Sequence, residues 1–213
     1  MRAQLVCYCQ HLKPIGPGTE FIILIHPHEV WRSIASGRMA HLCLTNSRLY
    51  EGTDFTGHEK VNEIIADPTR HCVVMTPGEY SLNLSDHTPA QRIALFPMAR
   101  QLTVFLIDGT WNQANKIKKL SQNLKPLPQV CFTPRAPSQF LVRKQPKAYC
   151  YSTIEAIHEF LDLVEQPAQR EHDNLLHVFQ AMVNQQIEFE VKHGRKATRG
   201  ERLATHLAEF ISS

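Results

Sequence analysis

The sequence predicts an α/β fold, a mainly parallel sheet flanked by helices. Two observations carry this. Short runs made almost wholly of apolar residues, FIILI, CVVM and VFLI, are the length of strands buried on both faces. Between them lie stretches with helical spacing of apolar residues, and strands alternating with helices form parallel sheets. Hydrophobic residues make up 43% of the 213-residue chain, enough for one sizeable core and too many for a disordered chain.

Taken in order, residues 21–27 (FIILIHP) form a strand that a proline ends. Residues 28–44 follow as a helix with Val30, Ile34, Leu42 and Leu44 spaced for one face, weakened at Gly37. Residues 58–66 are a short helix stopped by Asp67-Pro68. Residues 72–77 (CVVMTP) are a second strand and 102–107 a third; 112–120 are helical, and 129–134 (QVCFTP) are a fourth strand. Residues 153–165 form a helix with Ile154, Ile157, Phe160, Leu161 and Val164 on one face. A long helix covers 171–193, and a last short one 202–210. The proline-rich stretch 126–146 is an irregular loop, and loops that long in compact domains usually serve function.

Composition narrows the setting. No apolar run approaches the length of a membrane span. The N-terminus carries no apolar signal core. Four of the six cysteines sit in or beside apolar runs, the pattern of buried free thiols, which points to a reducing, cytoplasmic compartment.

The chemistry concentrates where VFLI stops at Asp108. Ligands of open α/β sheets bind beyond the carboxyl ends of strands. There, Gly109 permits close approach, Thr110 can cap the next helix, and Trp111 offers a flat apolar face. A plain turn-starting aspartate explains the same four residues, but the flanking charge argues for more. From Asp108 to Glu155 no other acid occurs, while Lys116, Lys118, Lys119, Lys125, Arg135, Arg143, Lys144 and Lys147 fall in that interval. The segment 192–202 adds five more Lys and Arg against one Glu. Either this is a solvated face paired with acids elsewhere in the fold, or it is a surface for a phosphate backbone, with RNA as partner.

The segment Asp108-Gly109-Thr110-Trp111 resembles the signature of the DTW-domain family, the tRNA-uridine aminocarboxypropyltransferases. Residues 24–29 (LIHPHE) with 36–42 (SGRMAHL), Leu95-Phe96-Pro97, and residues 151–156 (YSTIEA) resemble further blocks of that family in the same order. The resemblance implies a single DTW domain over residues 1–213 with a basic C-terminal segment, 192–213. It implies a SPOUT-like fold with a C-terminal trefoil knot. It implies S-adenosylmethionine as cofactor, and transfer of its aminocarboxypropyl group to N3 of a uridine in tRNA. A SPOUT-type RNA methyltransferase and a non-catalytic RNA-binding protein of the same fold are the alternatives.

Under that resemblance Asp108 is the catalytic candidate, either as the base for the uracil N3 proton or as an anchor for the cofactor's amino group. The cofactor would lie against Leu95, Phe96, Pro97, Gly109, Thr110, Trp111, Ser152, Thr153 and Glu155. RNA would meet Lys116, Lys119, Arg135, Arg143, Lys144 and Lys147. His26, Glu29, Arg32 and Arg38 would face the substrate or support the pocket. Many relatives open with four zinc-type cysteines. Here only Cys7 and Cys9 stand in that position, too few for a structural zinc, so no metal is expected. The Asn-Thr that relatives carry before Gly-Arg is also missing at residues 35–36, which marks a divergent subgroup.

Overall fold

A computed structural model describes residues 7–143, 150–165 and 170–192. Six strands form one sheet: β1 (Glu20–Ile25), β2 (Ser47–Glu51), β3 (Arg70–Met75), β4 (Leu82–Asn83), β5 (Gln101–Asp108) and β6 (Gln129–Cys131). Their spatial order is β2-β1-β5-β3-β6-β4, and every pairing is parallel. The α/β expectation therefore holds, with a wholly parallel sheet.

The apolar runs read as buried strands for a physical reason. Alternate residues point to opposite faces of a strand, and both faces here are covered. Phe21, Ile23, Val104 and Leu106 pack with α2 (Ser36–Cys43), α6 (Thr153–Val164) and α7 (Asp173–Lys192). Ile22, Leu24, Val74 and Phe105 pack on the other side with α3 (Glu59–Ala66) and α5 (Trp111–Leu120). All six residues of β1 are buried in consequence. Two short helices, α1 (Pro27–Val30) and α4 (Pro89–Leu95), and three 3-10 turns (Cys9–His11, Leu84–Asp86 and Gln122–Leu124) complete the described elements.

The structure departs from the sequence expectations in several places. The helix expected over 28–44 is two helices, α1 and α2, with residues 31–35 irregular between them. Pro27 at the first position starts α1, and its one turn closes at Trp31. Strand β2 was not expected, because SRLYE is an edge strand with an exposed and half-buried pattern and no apolar run. Helix α4 was not expected either; it is set by a capping box in which Thr88 and Gln91 exchange hydrogen bonds. The expected helix 202–210 and the basic segment 193–213 lie outside the described residues. No helix among the described residues is long and apolar enough to cross a membrane.

Candidate functional site

A cavity of about 670 Å³ opens at the carboxyl ends of β3, β5 and β6, within the size range of small-molecule sites. Met75, Leu106, Trp111, Phe132 and Phe140 supply apolar walls. Ser36, Asp108, Lys118, Arg143, Ser152 and Thr153 supply the polar ones.

Asp108 is the last residue of β5 and only 5% exposed. The Thr153 hydroxyl at the start of α6 donates to its Oδ1. The backbone N–H of Gly37, in the first turn of α2, lies beside the same carboxylate and favours its charged form. Gly37 has to be glycine here, since a Cβ at that position would stand 2.7 Å from the Asp108 carboxylate. The Asp108 carbonyl accepts the His26 N–H at 2.9 Å, and Ser36 Oγ accepts the Thr153 N–H at 3.2 Å. One acid thus ties β5 to two helix N-termini, where the helix dipoles favour negative charge. Burial raises its pKa above the usual carboxylate value; the Thr153 hydroxyl, Arg143 and the Gly37 N–H oppose the rise, and nearby Glu29 adds to it.

Thr110 caps α5 as expected: its hydroxyl accepts the Gln113 N–H at 3.3 Å while Gln113 Oε1 accepts the Thr110 N–H at 2.7 Å. Gly109, Thr110, Trp111, Ser152 and Thr153 all line the cavity with Asp108.

Three expectations need correction. Leu95, Phe96 and Pro97 do not reach the cavity. Phe96 packs on His71 and Phe160, with ring centroids 6.1 and 6.4 Å away, beside the residues that begin β3 and β5. They lie at the amino end of the sheet, because α4 must lead into the start of β5. Glu155 does not reach the cavity either. Its carboxylate is saturated by Ser138 Oγ, Gln139 N, Ser152 N and Ser152 Oγ at 2.6–2.8 Å. It fixes the 138–140 loop against the start of α6.

The third correction concerns the basic surface. Arg135 pairs with Glu159 at 2.6 Å and also with Asp162, so the helix that ends the acid-free interval neutralises it. Arg143 lines the cavity but forms a bidentate pair with Glu29, at 3.1 and 3.3 Å. Lys116 and Lys119 are exposed on α5 and form no salt bridge among the described residues. Lys144 and Lys147 lie outside the described residues.

The remaining candidates surround the site without lining it. Glu29 is 1% exposed, and Arg32 Nε approaches it at 3.4 Å. Arg38 donates to the Val30 carbonyl at 3.4 Å. His26 Nδ1 accepts the His28 N–H at 3.2 Å; burial, His28 and Lys116 lower its pKa, against a pull upward from Glu29. Sequence reasoning missed the cavity roles of Ser36, Phe132, Phe140, Tyr151 and Lys118. Lys118 was visible as one of the cations, but its direction was not.

Among the described residues one group of metal-ligand type stands elsewhere. Ligand atoms of His158, His172 and Asp173 lie within 4.8 Å of one another. Arg170 already bonds both Asp162 and Asp173, at 2.8 and 2.9 Å, so the group is compensated as an ion-pair cluster.

Comparison with known proteins matches residues 1–187 to the DTW domain. A Drosophila melanogaster protein named tRNA-uridine aminocarboxypropyltransferase 2 is 30% identical over 77% of this chain and 64% of its own length. A Mus musculus protein of the same name is 27% identical over 91% of this chain and 62% of its own. An Arabidopsis thaliana tRNA-uridine aminocarboxypropyltransferase A is 25% identical over 88% and 79%. The chain thus spans a little under two thirds of the fly and mouse relatives. No solved structure matches the chain.

Proposed function

The chain belongs to the DTW-domain family, and from that premise we propose that it transfers the aminocarboxypropyl group of S-adenosylmethionine to N3 of a uridine in tRNA. The observation that carries the proposal is the cavity itself. Asp108-Gly109-Thr110-Trp111 and Ser152-Thr153, far apart in sequence, line one space at the carboxyl ends of the strands.

The residues present fit such a donor. The cavity is large enough, apolar over much of its wall, and carries a carboxylate and a cation for the two charges of an amino-acid end. When bound, the donor would supply an electrophilic carbon on a sulfonium: the C–S bond breaks as the C–N3 bond forms, the adenosyl thioether leaves uncharged, and the uracil N3 proton goes to solvent water. Trp111, Phe132 and Phe140 exclude water from that centre, which favours loss of charge. Asp108 acts as anchor: the Thr153 hydroxyl holds it fixed, the Gly37 N–H lies beside it, and its remaining lone pairs accept one donor from the cavity, the amino group. Ser152 and Thr153 bring the N-terminus of α6 to the same wall.

Outside the cavity, Lys116 and Lys119 on α5 meet the tRNA backbone. The knotted SPOUT arrangement belongs to the same proposal. Strand β6 lies between β3 and β4, so the connection of residues 76–81 passes across β6 to reach β4, and α6 starts beside Asp108 at the end of β5. The whole chain acts as one domain. The buried thiols of Cys43 and Cys72 suit a reducing cytoplasm.

The test is mass analysis of nucleosides from tRNA incubated with the protein and S-adenosylmethionine. A uridine heavier by the aminocarboxypropyl group is expected. A gain of a methyl mass instead, or no gain together with no thermal shift from the donor, would overturn the proposal.

A further inference from the structure

Among the described residues the cavity wall carries two cations, and they differ in state. Arg143 is spent: both terminal nitrogens of its guanidinium bond the buried Glu29 carboxylate. Lys118 is not. It is half-buried and lines the cavity, unlike its exposed neighbours Lys116 and Lys119. Its ammonium has one long contact, 3.4 Å to Thr76 Oγ1, and no salt bridge among the described residues. It also stands beside the loop after β3, where a Cβ on Gly78 would be 3.8 Å from it. Among the described residues the only carboxylate on the cavity wall is Asp108, already engaged by the Thr153 hydroxyl.

A cation drawn partly out of water without an anion loses hydration and gains nothing in return. Inside a largely apolar cavity its field is also less screened than at the surface. Such a group is completed by an anionic ligand.

We propose that Lys118 receives the carboxylate of the aminocarboxypropyl chain and so positions the donor, an inference that rests on the donor assigned above. Asp108 then takes the ammonium of the same chain, and the two side chains hold its amino-acid end at two points. Lys118 is a positioning residue and takes no part in bond making. An RNA phosphate is the competing anion, and the half-burial of Lys118 inside the cavity favours the small ligand.

Two nucleosides test this by calorimetry without turnover: S-adenosylhomocysteine and its decarboxylated analogue, which keeps the amine and lacks the carboxylate. The wild-type protein should bind S-adenosylhomocysteine about tenfold or more tightly than the analogue, the strength of a hydrogen bond between charged groups. Lys118→Met should erase that preference while leaving affinity for the analogue within about twofold, and Lys118→Arg should restore part of it. Equal weakening of both nucleosides in Lys118→Met would mean that the lysine only shapes the wall, and would overturn the inference. So would unchanged binding of both, or a reduced salt slope of tRNA binding with nucleoside affinities unaltered. If neither nucleoside binds the wild-type protein, the donor assignment itself fails and the inference falls with it.

Discussion

Two charged regions of this molecule sit in opposite states. At the junction of α6 and α7, His158, Asp162, His172, Asp173, Arg135 and Arg170 answer one another. His158 Nε2 meets Asp173 at 2.8 Å, His172 Nε2 meets Asp162 at 3.2 Å, and Arg170 spans both acids. On α5, Lys116, Lys118 and Lys119 form no salt bridge among the described residues, and Lys118 lines the cavity. The difference teaches where to look for a ligand. In the α6–α7 cluster every charge has an opposite charge beside it, although His172 Nδ1 has no hydrogen-bond partner among the described residues, whereas a charge left open beside a cavity needs something from outside.

The sharpest way to break this contrast is Asp108→Ala. Transfer should fall by about a thousandfold, in the range for losing a positioned polar group, while an α6–α7 change such as Arg135→Ala leaves turnover alone. Nucleoside mass analysis at matched protein concentration reads both, and equal turnover in the two variants would sink the contrast. The alanine variant should also melt lower, since it releases Thr153.

Next comes the pair that joins structure to cavity. Arg143→Met leaves the Glu29 carboxylate, at 1% exposure, with only the more exposed Arg32 at 3.4 Å, and breaking a buried pair costs about 3 kcal/mol. Arg135→Ala removes a side chain that is 58% exposed and should cost about 1 kcal/mol or less. Urea midpoints of the two variants give the comparison directly. Similar midpoints would mean that Glu29 finds another partner.

Charge reversal on α5 should have a smaller effect. Lys116→Glu with Lys119→Glu should weaken tRNA binding by about tenfold in moderate salt and lower the salt slope by about two units. Arg135→Glu should leave the slope unchanged. A slope that moves with Arg135 and not with the lysines would relocate the RNA surface to the α6–α7 side.

The smallest expected effect is a pH dependence at the α6–α7 junction. Burial and the neighbouring His172 lower the pKa of His158, outweighing the upward pull of Asp173 and Asp162. The unfolded chain therefore takes up a proton near the ordinary histidine value of 6.5 that the folded chain resists, so stability falls as pH drops below about 6.5. Asp173, held at about 2 chiefly by Arg170, keeps its contribution until much lower pH and loses it as pH falls toward that value. Thermal melts between neutral and mildly acidic pH should show the decline, and His158→Gln should flatten it.

Much of the scaffold was legible because burial on two faces leaves an unmistakable mark. FIILI and VFLI are apolar at every position, and only a strand covered on both sides requires that. Strand β2 escaped because an edge strand like SRLYE is half solvated and carries no such mark. The split of residues 28–44 escaped because helical spacing persists across Trp31 to Ala35 although the backbone does not stay helical.

The site was legible in part. Asp108 to Trp111 stood out because a carboxylate, a glycine and a capping threonine at a strand end have a local reason to be together. Phe96 stood in a family block of its own and Glu155 shared one with cavity residues, yet one lies at the far end of the sheet and the other faces away into a hydrogen-bond cage.

The sequence by itself determined that this chain makes a parallel α/β sheet and that β5 ends in a capped helix with an acid at the turn. Those facts depend on neighbours a few residues apart. Only the tertiary structure decided which cations remain unpaired, because pairing depends on distance in space: Arg135 meets Glu159 and Arg143 meets Glu29 across 24 and 114 residues of chain. Lys118, in the same acid-free interval, meets no acid among the described residues and turns toward the cavity.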